Sequence, residues 1–385
     1  MFKLPAFIRS ALGALLCVAL ASCGGGSSDG TADGSASKVG HVFLVVLENK
    51  DYAKTFASDS LAPYLATELK AKGALLEQYY GIGHVSLGNY IAMISGQGLN
   101  LQTQTDCQLF TEFVGSPPVN AIDGQAIGTG CVYPTTVPNI TDQLKAAGLS
   151  WRGYMEDMGN TPEREAAACA HPAINSQDQT QSATAEDSYA TRHNPFMYFH
   201  SVIDDQASCE QHVVPLTALD YDLSAIGNTA NYSFITPSLC SDGHDSPCAN
   251  GDAGGLESIN DFLIATIPKI LNSEAFKKDG LLIITFDESD GPQSDASACC
   301  GAGPTPNALL PGITGLGGGR VGAVLISPFI KPGTVSTAAY NHYSMLRSVQ
   351  DLFGLPYLGY AGSASQASFG ADVFTQRLPE LPPRP

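Results

Sequence analysis

Two uninterrupted apolar runs constrain this chain more than any other feature: Val-Phe-Leu-Val-Val-Leu at 42–47 and Leu-Leu-Ile-Ile-Thr-Phe at 281–286. Neither alternates with polar residues, so a strand made from either must be covered on both faces. Helices on both sides of a mainly parallel sheet meet that requirement, which places the chain in the α/β class. Both runs stop abruptly in oxygen-bearing side chains, the first in Glu48-Asn49 and the second in Asp287-Glu288. Open α/β sheets collect their ligands at the carboxyl ends of strands, and a cluster of hard oxygen donors there suits a divalent cation.

Further strands are expected at 149–155, 232–236 and 321–327, and helices at 62–72, 87–95, 138–147, 255–271 and 343–353. Gly73, Gly148 and Gly354 follow three of these helices, where a left-handed closing residue is wanted. Two stretches, 97–137 and 158–220, fit no regular element and carry cysteines, glycines and prolines. Connections of that length are usually functional or stapled, and these are expected to form a rim or lid over the strand ends.

The first residues read as an export signal, with Lys3 and Arg9 ahead of an apolar run that is too short to span a bilayer. The run closes on Leu20-Ala21-Ser22-Cys23, which resembles a lipobox. Residues 1–22 would then be removed and Cys23 lipidated, anchoring an exported protein to the bacterial cell envelope; ordinary cleavage near Ala21 is the alternative. Residues 23–40 are rich in Gly, Ser and Ala and form a tether. One catalytic domain, 41–375, and a Pro-rich tail, 376–385, complete the chain.

Eight cysteines lie beyond Cys23, an even number that favours disulfides in an exported chain. Spacing suggests Cys107 with Cys131 and Cys169 with Cys209. Cys240, Cys248, Cys299 and Cys300 allow three connectivities, and separate partners for Cys299 and Cys300 are preferred to a vicinal bridge. A formal charge of −18 argues against nucleic acid, and leaves the Cys23 anchor as the only expected membrane contact. An anionic ligand would have to be drawn in locally, by a metal, histidines and backbone amides. Nothing in the residues fixes an oligomeric state.

Ser86 opens a helical run within Gly83-His84-Val85-Ser86-Leu87-Gly88-Asn89-Tyr90. A hydroxyl at that position stands beside amides not yet used by the helix, a favourable setting for a phosphate. Read alone it is a capping serine. The order of motifs says more: Glu48-Asn49-Lys50-Asp51-Tyr52, the Ser86 segment through Gly96, Arg192-His193-Asn194-Pro195-Phe196, Ile235-Thr236-Pro237 with Asp242-Gly243-His244-Asp245, Phe286-Asp287-Glu288-Ser289, and Asn341-His342-Tyr343-Ser344. In that succession the chain resembles the bacterial phosphoesterase family of acid phosphatases and non-zinc phospholipases C. Proline usually flanks that family's nucleophile, where Val85 and Gly88 stand in this chain.

The resemblance implies an alkaline phosphatase-like fold, a three-layer sandwich with a mainly parallel central sheet. It implies Glu48, Asn49, Asp287 and Glu288 as metal ligands together with the nucleophile Ser86, His193 and His244 as active-site histidines, and Asn89 as a phosphate contact. Asp242 and Asp245, flanking His244, would orient it or join His342 in a second metal site. Metal-dependent hydrolysis of a small phosphoester through a phosphoserine on Ser86 is the expected reaction, as an acid phosphatase or general phosphoesterase. A phospholipase C acting on phospholipid head groups of the phosphocholine type, and a surface lipoprotein that binds metal and phosphate without turnover, are the alternatives. Oxygen donors favour Mg2+, Ca2+ or Mn2+, with Zn2+ admissible if a histidine joins them.

Overall fold

Strand β1, His41–Leu47, is buried along its whole length, as the unbroken apolar run requires. The computed structural model describes residues 39–116 and 122–375; the expected signal, tether, Cys23 and Pro-rich tail lie outside the described residues, apart from residues 39–40. The other strands of the main sheet are β2, Ala74–Tyr80; β3, Trp151–Met155; β4, Val213–Pro215; β5, Tyr232–Thr236; β6, Gly280–Phe286; β7, Ala323–Ile326; and β8, Thr334–Asn341. Their order across the sheet is β8-β2-β7-β6-β1-β5-β3-β4.

The sheet is mixed but mainly parallel. Only β7 opposes its neighbours, running antiparallel to both β6 and β2. The run at 321–327 contains that strand, but nothing in its composition carries a direction. Strand β4 lies within the stretch 158–220 that fits no regular element, and β2 and β8 also stand outside the expected strands. The latter is an edge strand with mostly exposed side chains and a register shift between Ser336 and Ala339, so it lacks the apolar signature of a central strand.

Helices α1, Ser86–Ser95; α2, Ile140–Ala146; α3, Gly255–Asn272; and α4, His342–Phe353 fall where the periodicity places them. Helices α2 and α4 both pack on or near α1, while α3 packs with the segment Tyr64–Leu69. That segment is π-helical rather than the α-helix expected over 62–72, and continues into a single α turn at Lys70–Lys72. Gly148 and Gly354 are left-handed, with φ of 71° and 69°. Gly73 is not, having φ −144°; it is needed because a Cβ there would come 2.0 Å from the carbonyl oxygen of Leu325.

Four disulfides are formed: Cys107–Cys131, Cys169–Cys209, Cys240–Cys248 and Cys299–Cys300. The first two match the spacing argument. The vicinal pair corrects the expectation of separate partners, because Cys240 and Cys248 close a short local loop and leave the neighbours to each other. Among the described residues no helix is long and apolar enough to cross a membrane.

Candidate active site

The register of β1 on β6 builds the centre of the site. Pairing runs from His41 opposite Gly280 to Leu47 opposite Phe286, so Glu48 and Asp287 leave the sheet side by side. The backbone then turns sharply at Asn49, which has a left-handed φ of 46° and donates its amide to Asp287 Oδ1 at 3.2 Å. Lys50 fastens this turn by donating Nζ to the carbonyls of Asn49 at 3.0 Å and Gly243 at 2.9 Å. A neighbouring loop is held by Glu48 N donating to the carbonyl of Asp242 at 2.8 Å.

Ser86 is the first residue of α1 and makes no cap bond; Val85 holds the cap position. Its hydroxyl is spent on the site, donating to Glu48 Oε2 at 2.9 Å. Tyr90, one turn on, donates to Glu48 Oε1 at 2.6 Å and stacks on the His193 ring with centroids 5.2 Å apart. His193 Nδ1 lies 3.0 Å from Asp242 Oδ2, and its Nε2 lies 3.4 Å from Glu48 Oε1. Glu48, His193 and Asp242, all buried, therefore face one another closely enough to share an ion.

The electrostatics describe a site short of positive charge. Burial, with the Asp287 and Asp242 carboxylates beside it, raises Glu48 well above the ordinary carboxylate range. Burial does the same to Asp242, and pushes Asp287 up to about 6. His193 is driven well below its usual value by burial and by Arg192, which keeps the imidazole neutral and its lone pair available. Asp287 Oδ2 and His193 Nε2 are buried with no hydrogen-bond partner. Asn49 can turn its amide nitrogen to Asp287 Oδ1 and Glu48 Oε2, at 3.1 and 3.0 Å; with its oxygen turned in, the three acceptors need a cation or a carboxyl proton between them. Orphaned donor atoms, clustered carboxylates and a neutral imidazole together fit a divalent metal.

Several sequence-predicted residues sit differently from expectation. Glu288 is buried with its Oε2 2.6 Å from His84 Nδ1 in the loop before Ser86, and His84 Nε2 lies 3.1 Å from the carbonyl of Asp295; the three groups that face one another closely enough for an ion are Glu48, His193 and Asp242, without Glu288. Asn89 accepts from the amides of Ile82 and Gly83 and donates to the carbonyls of Gly83 at 2.8 Å and Val85 at 3.4 Å, so its amide is spent on bracing the loop before Ser86. His342 cannot join a second metal site, because Nε2 lies 2.6 Å from the carbonyl oxygen of Asp287 and Nδ1 lies 3.1 Å from the Tyr79 hydroxyl. The amide of Leu87, expected to be free, donates to Asp106 Oδ1 at 3.0 Å.

His244 stands at the rim, half-buried, with Nδ1 2.8 Å from Asp245 Oδ1 and Nε2 3.2 Å from Arg192 Nη2. Arg192 is the residue that sequence reasoning left without a role. It is buried within the long insertion, donates Nη1 to the carbonyl of Gln181 at 3.0 Å, and brings the only guanidinium among these contacts to an acidic centre. Its position next to His193 in a chain this poor in cations was the available signal. Thr236, at the end of β5, donates to the carbonyl of His193 at 3.2 Å and so ties the insertion to the sheet.

The profile of the phosphoesterase family matches residues 56–356. The chain is 26% identical over 341 residues to a phosphatidylinositol-3-phosphatase of Mycobacterium tuberculosis, covering 87% of this chain and 84% of that protein. It is 25% identical over 313 residues to the phosphate-repressible acid phosphatase of Penicillium chrysogenum, covering 81% of this chain but only 58% of that relative. A solved structure of an alkaline phosphatase superfamily protein from Vibrio parahaemolyticus is similar at a TM-score of 0.45 and 13% identity, over 83% of this chain and 68% of that one.

Proposed function

The chain belongs to the phosphoesterase family, and we propose that it hydrolyses phosphomonoesters by transferring the phosphoryl group to Ser86. The observation that carries this reading is the buried Ser86 hydroxyl donating to Glu48 Oε2 within a cluster of three carboxylates and a neutral histidine. Glu48, His193, Asp242, Asn49 and Asp287 would hold the metal. When bound, a divalent ion offsets their charge, lowers the barrier to deprotonating a serine and neutralises phosphate oxygens. The imidazole nitrogen among the donors admits Zn2+ and iron as well as Mg2+, Ca2+ and Mn2+.

The chain's own residues supply the remaining steps. Ser86 Oγ attacks phosphorus in line with the departing alcohol, its proton leaving along the bond to Glu48 Oε2. Arg192 draws the equatorial oxygens away from the carboxylates. His244, at the solvent side and oriented by Asp245, delivers a proton to the leaving alcohol and then takes one from the water that releases phosphate from Ser86. The two relatives' printed names, an acid phosphatase and a lipid phosphatase, both support a monoester as substrate.

The test is hydrolysis of a chromogenic phosphomonoester and of a phosphocholine diester by metal-stripped protein, with ions restored singly. The monoester should be turned over only after an ion is added, and Ser86→Ala should lose at least about a thousandfold in kcat while keeping its Tm. Unimpaired turnover by Ser86→Ala would sink the phosphoserine route. Faster cleavage of the diester would favour the phospholipase C alternative.

A further inference from the structure

Loop 308–316 carries four of the largest exposed apolar side chains in the molecule: Leu309 at 77% exposure, Leu310 at 56%, Ile313 at 45% and Leu316 at 63%. Elsewhere among the described residues no stretch of this length exposes more than two large hydrophobic side chains. Scattered exposed leucines need no explanation, whereas such a concentration does. The whole segment 296–319 contains no charged residue, in a chain whose formal charge is −18.

The backbone makes the pattern harder to dismiss as a plain turn. Ile313 and Leu316 adopt left-handed φ values of 60° and 44°, a conformation that a β-branched residue strongly disfavours. Glycines stand at 312, 315 and 317 of the same loop, so glycine was available for turning. Apolar side chains kept on strained, solvent-exposed backbone point to a surface that uses them.

The loop is also fixed to the catalytic centre. The carbonyl of Pro311 accepts from His84 N at 2.9 Å, two residues before Ser86, and Gln104 Nε2 donates to the carbonyl of Leu310 at 2.9 Å. Just beyond it, the carbonyls of Gly318 and Gly319 accept from Ser289 and Gly81, both at 2.9 Å. Whatever the loop rests on is therefore held close to the Ser86 segment and to the strand end that carries Asp287.

We propose that loop 308–316 is a docking surface for an uncharged or zwitterionic lipid surface, entered by Leu309, Leu310, Ile313 and Leu316. Uncharged, protruding aliphatic side chains gain from the acyl boundary without paired charges, while the chain's net negative charge disfavours an anionic bilayer. Only the orientation of the docked site depends on the reading of Ser86; the surface itself does not.

The experiment uses the full chain with Cys23→Ala in every variant, so that no lipid on that residue can mask the loop, and phosphatidylcholine vesicles. Leu309→Asp/Leu316→Asp should sediment with vesicles roughly tenfold less than wild type or weaker still, while hydrolysing a soluble chromogenic phosphomonoester at the wild-type rate. Leu316→Trp should shift its emission to the blue on vesicle addition, against the single buried Trp151. Equal sedimentation of wild type and the double variant, or no spectral shift, overturns the proposal. So does a vesicle-independent dimer that the double variant dissolves, since a second copy would then be the occupant. Loop-dependent sedimentation by a protein inert on the soluble monoester would leave the docking surface standing and remove the catalytic reading.

Discussion

Asp287, Glu48 and Asp242 are acids that the fold holds in an unfavourable state when nothing positive lies among them. Their folded pKa values are raised by burial, Asp287 to about 6, so the protonated forms are favoured in the native protein relative to the unfolded chain. Stability from this source is complete below the ordinary carboxylate value of about 4 and is lost as pH rises through about 6 and beyond. Metal-stripped protein should therefore lose Tm between pH 4 and pH 7, and a divalent ion should restore more at pH 7 than at pH 5. A flat or rising Tm across that window, followed by scanning calorimetry, would contradict the assignment. At this scale Glu48 and Asp287 were legible because each follows an apolar run, and Ser86 because it opens a helical one. The place of Asp242 beside Glu48 and His193 was not, since an acid in a loop carries no signal of which way its side chain points.

Helix α1 presents Ser86 from a loop that has almost no slack. Asn89 clamps the loop from above, and a Cβ at Gly88 would lie 2.4 Å from Leu99 Cγ. Gly88→Ala should force Leu99 aside and lower stability by about 1–3 kcal/mol. It should also reduce kcat more than it raises KM, because the displaced turn carries the nucleophile. Wild-type Tm and kcat in that variant would show the contact to be soft. Elements with long apolar periods, such as β1, β6, α3 and α4, were readable from spacing alone. Strand β8 was not, because its exposed face and bulge hide the alternation, and the π-helical turn at Tyr64–Leu69 keeps the same apolar stripe as an α-helix would.

Across the whole molecule, a net charge of −18 opposes the approach of the phosphate dianion proposed as substrate. Screening weakens the distant charges first, with a Debye length of about 10 Å at 0.1 M salt, and leaves Arg192, with any cation the carboxylates hold, acting at short range. Raising ionic strength from about 0.02 to 0.2 M should increase kcat/KM for a small phosphomonoester by roughly two- to tenfold. A decrease would mean that the field at the mouth is positive.

The two apolar runs with their terminal acids were enough to dictate a sheet covered on both faces and an acidic cluster at the carboxyl ends of its strands, because burial and hard-oxygen chemistry depend on residue type and local order. The pairing of those runs in register depended on the rest of the fold, as did the arrival of His193 and Arg192 from an insertion with no periodic signal. So did the retirement of Asn89 and His342 into backbone contacts. Those outcomes depend on which groups are left unpaired once every strand, loop and disulfide is in place, and that is a property of the assembled structure.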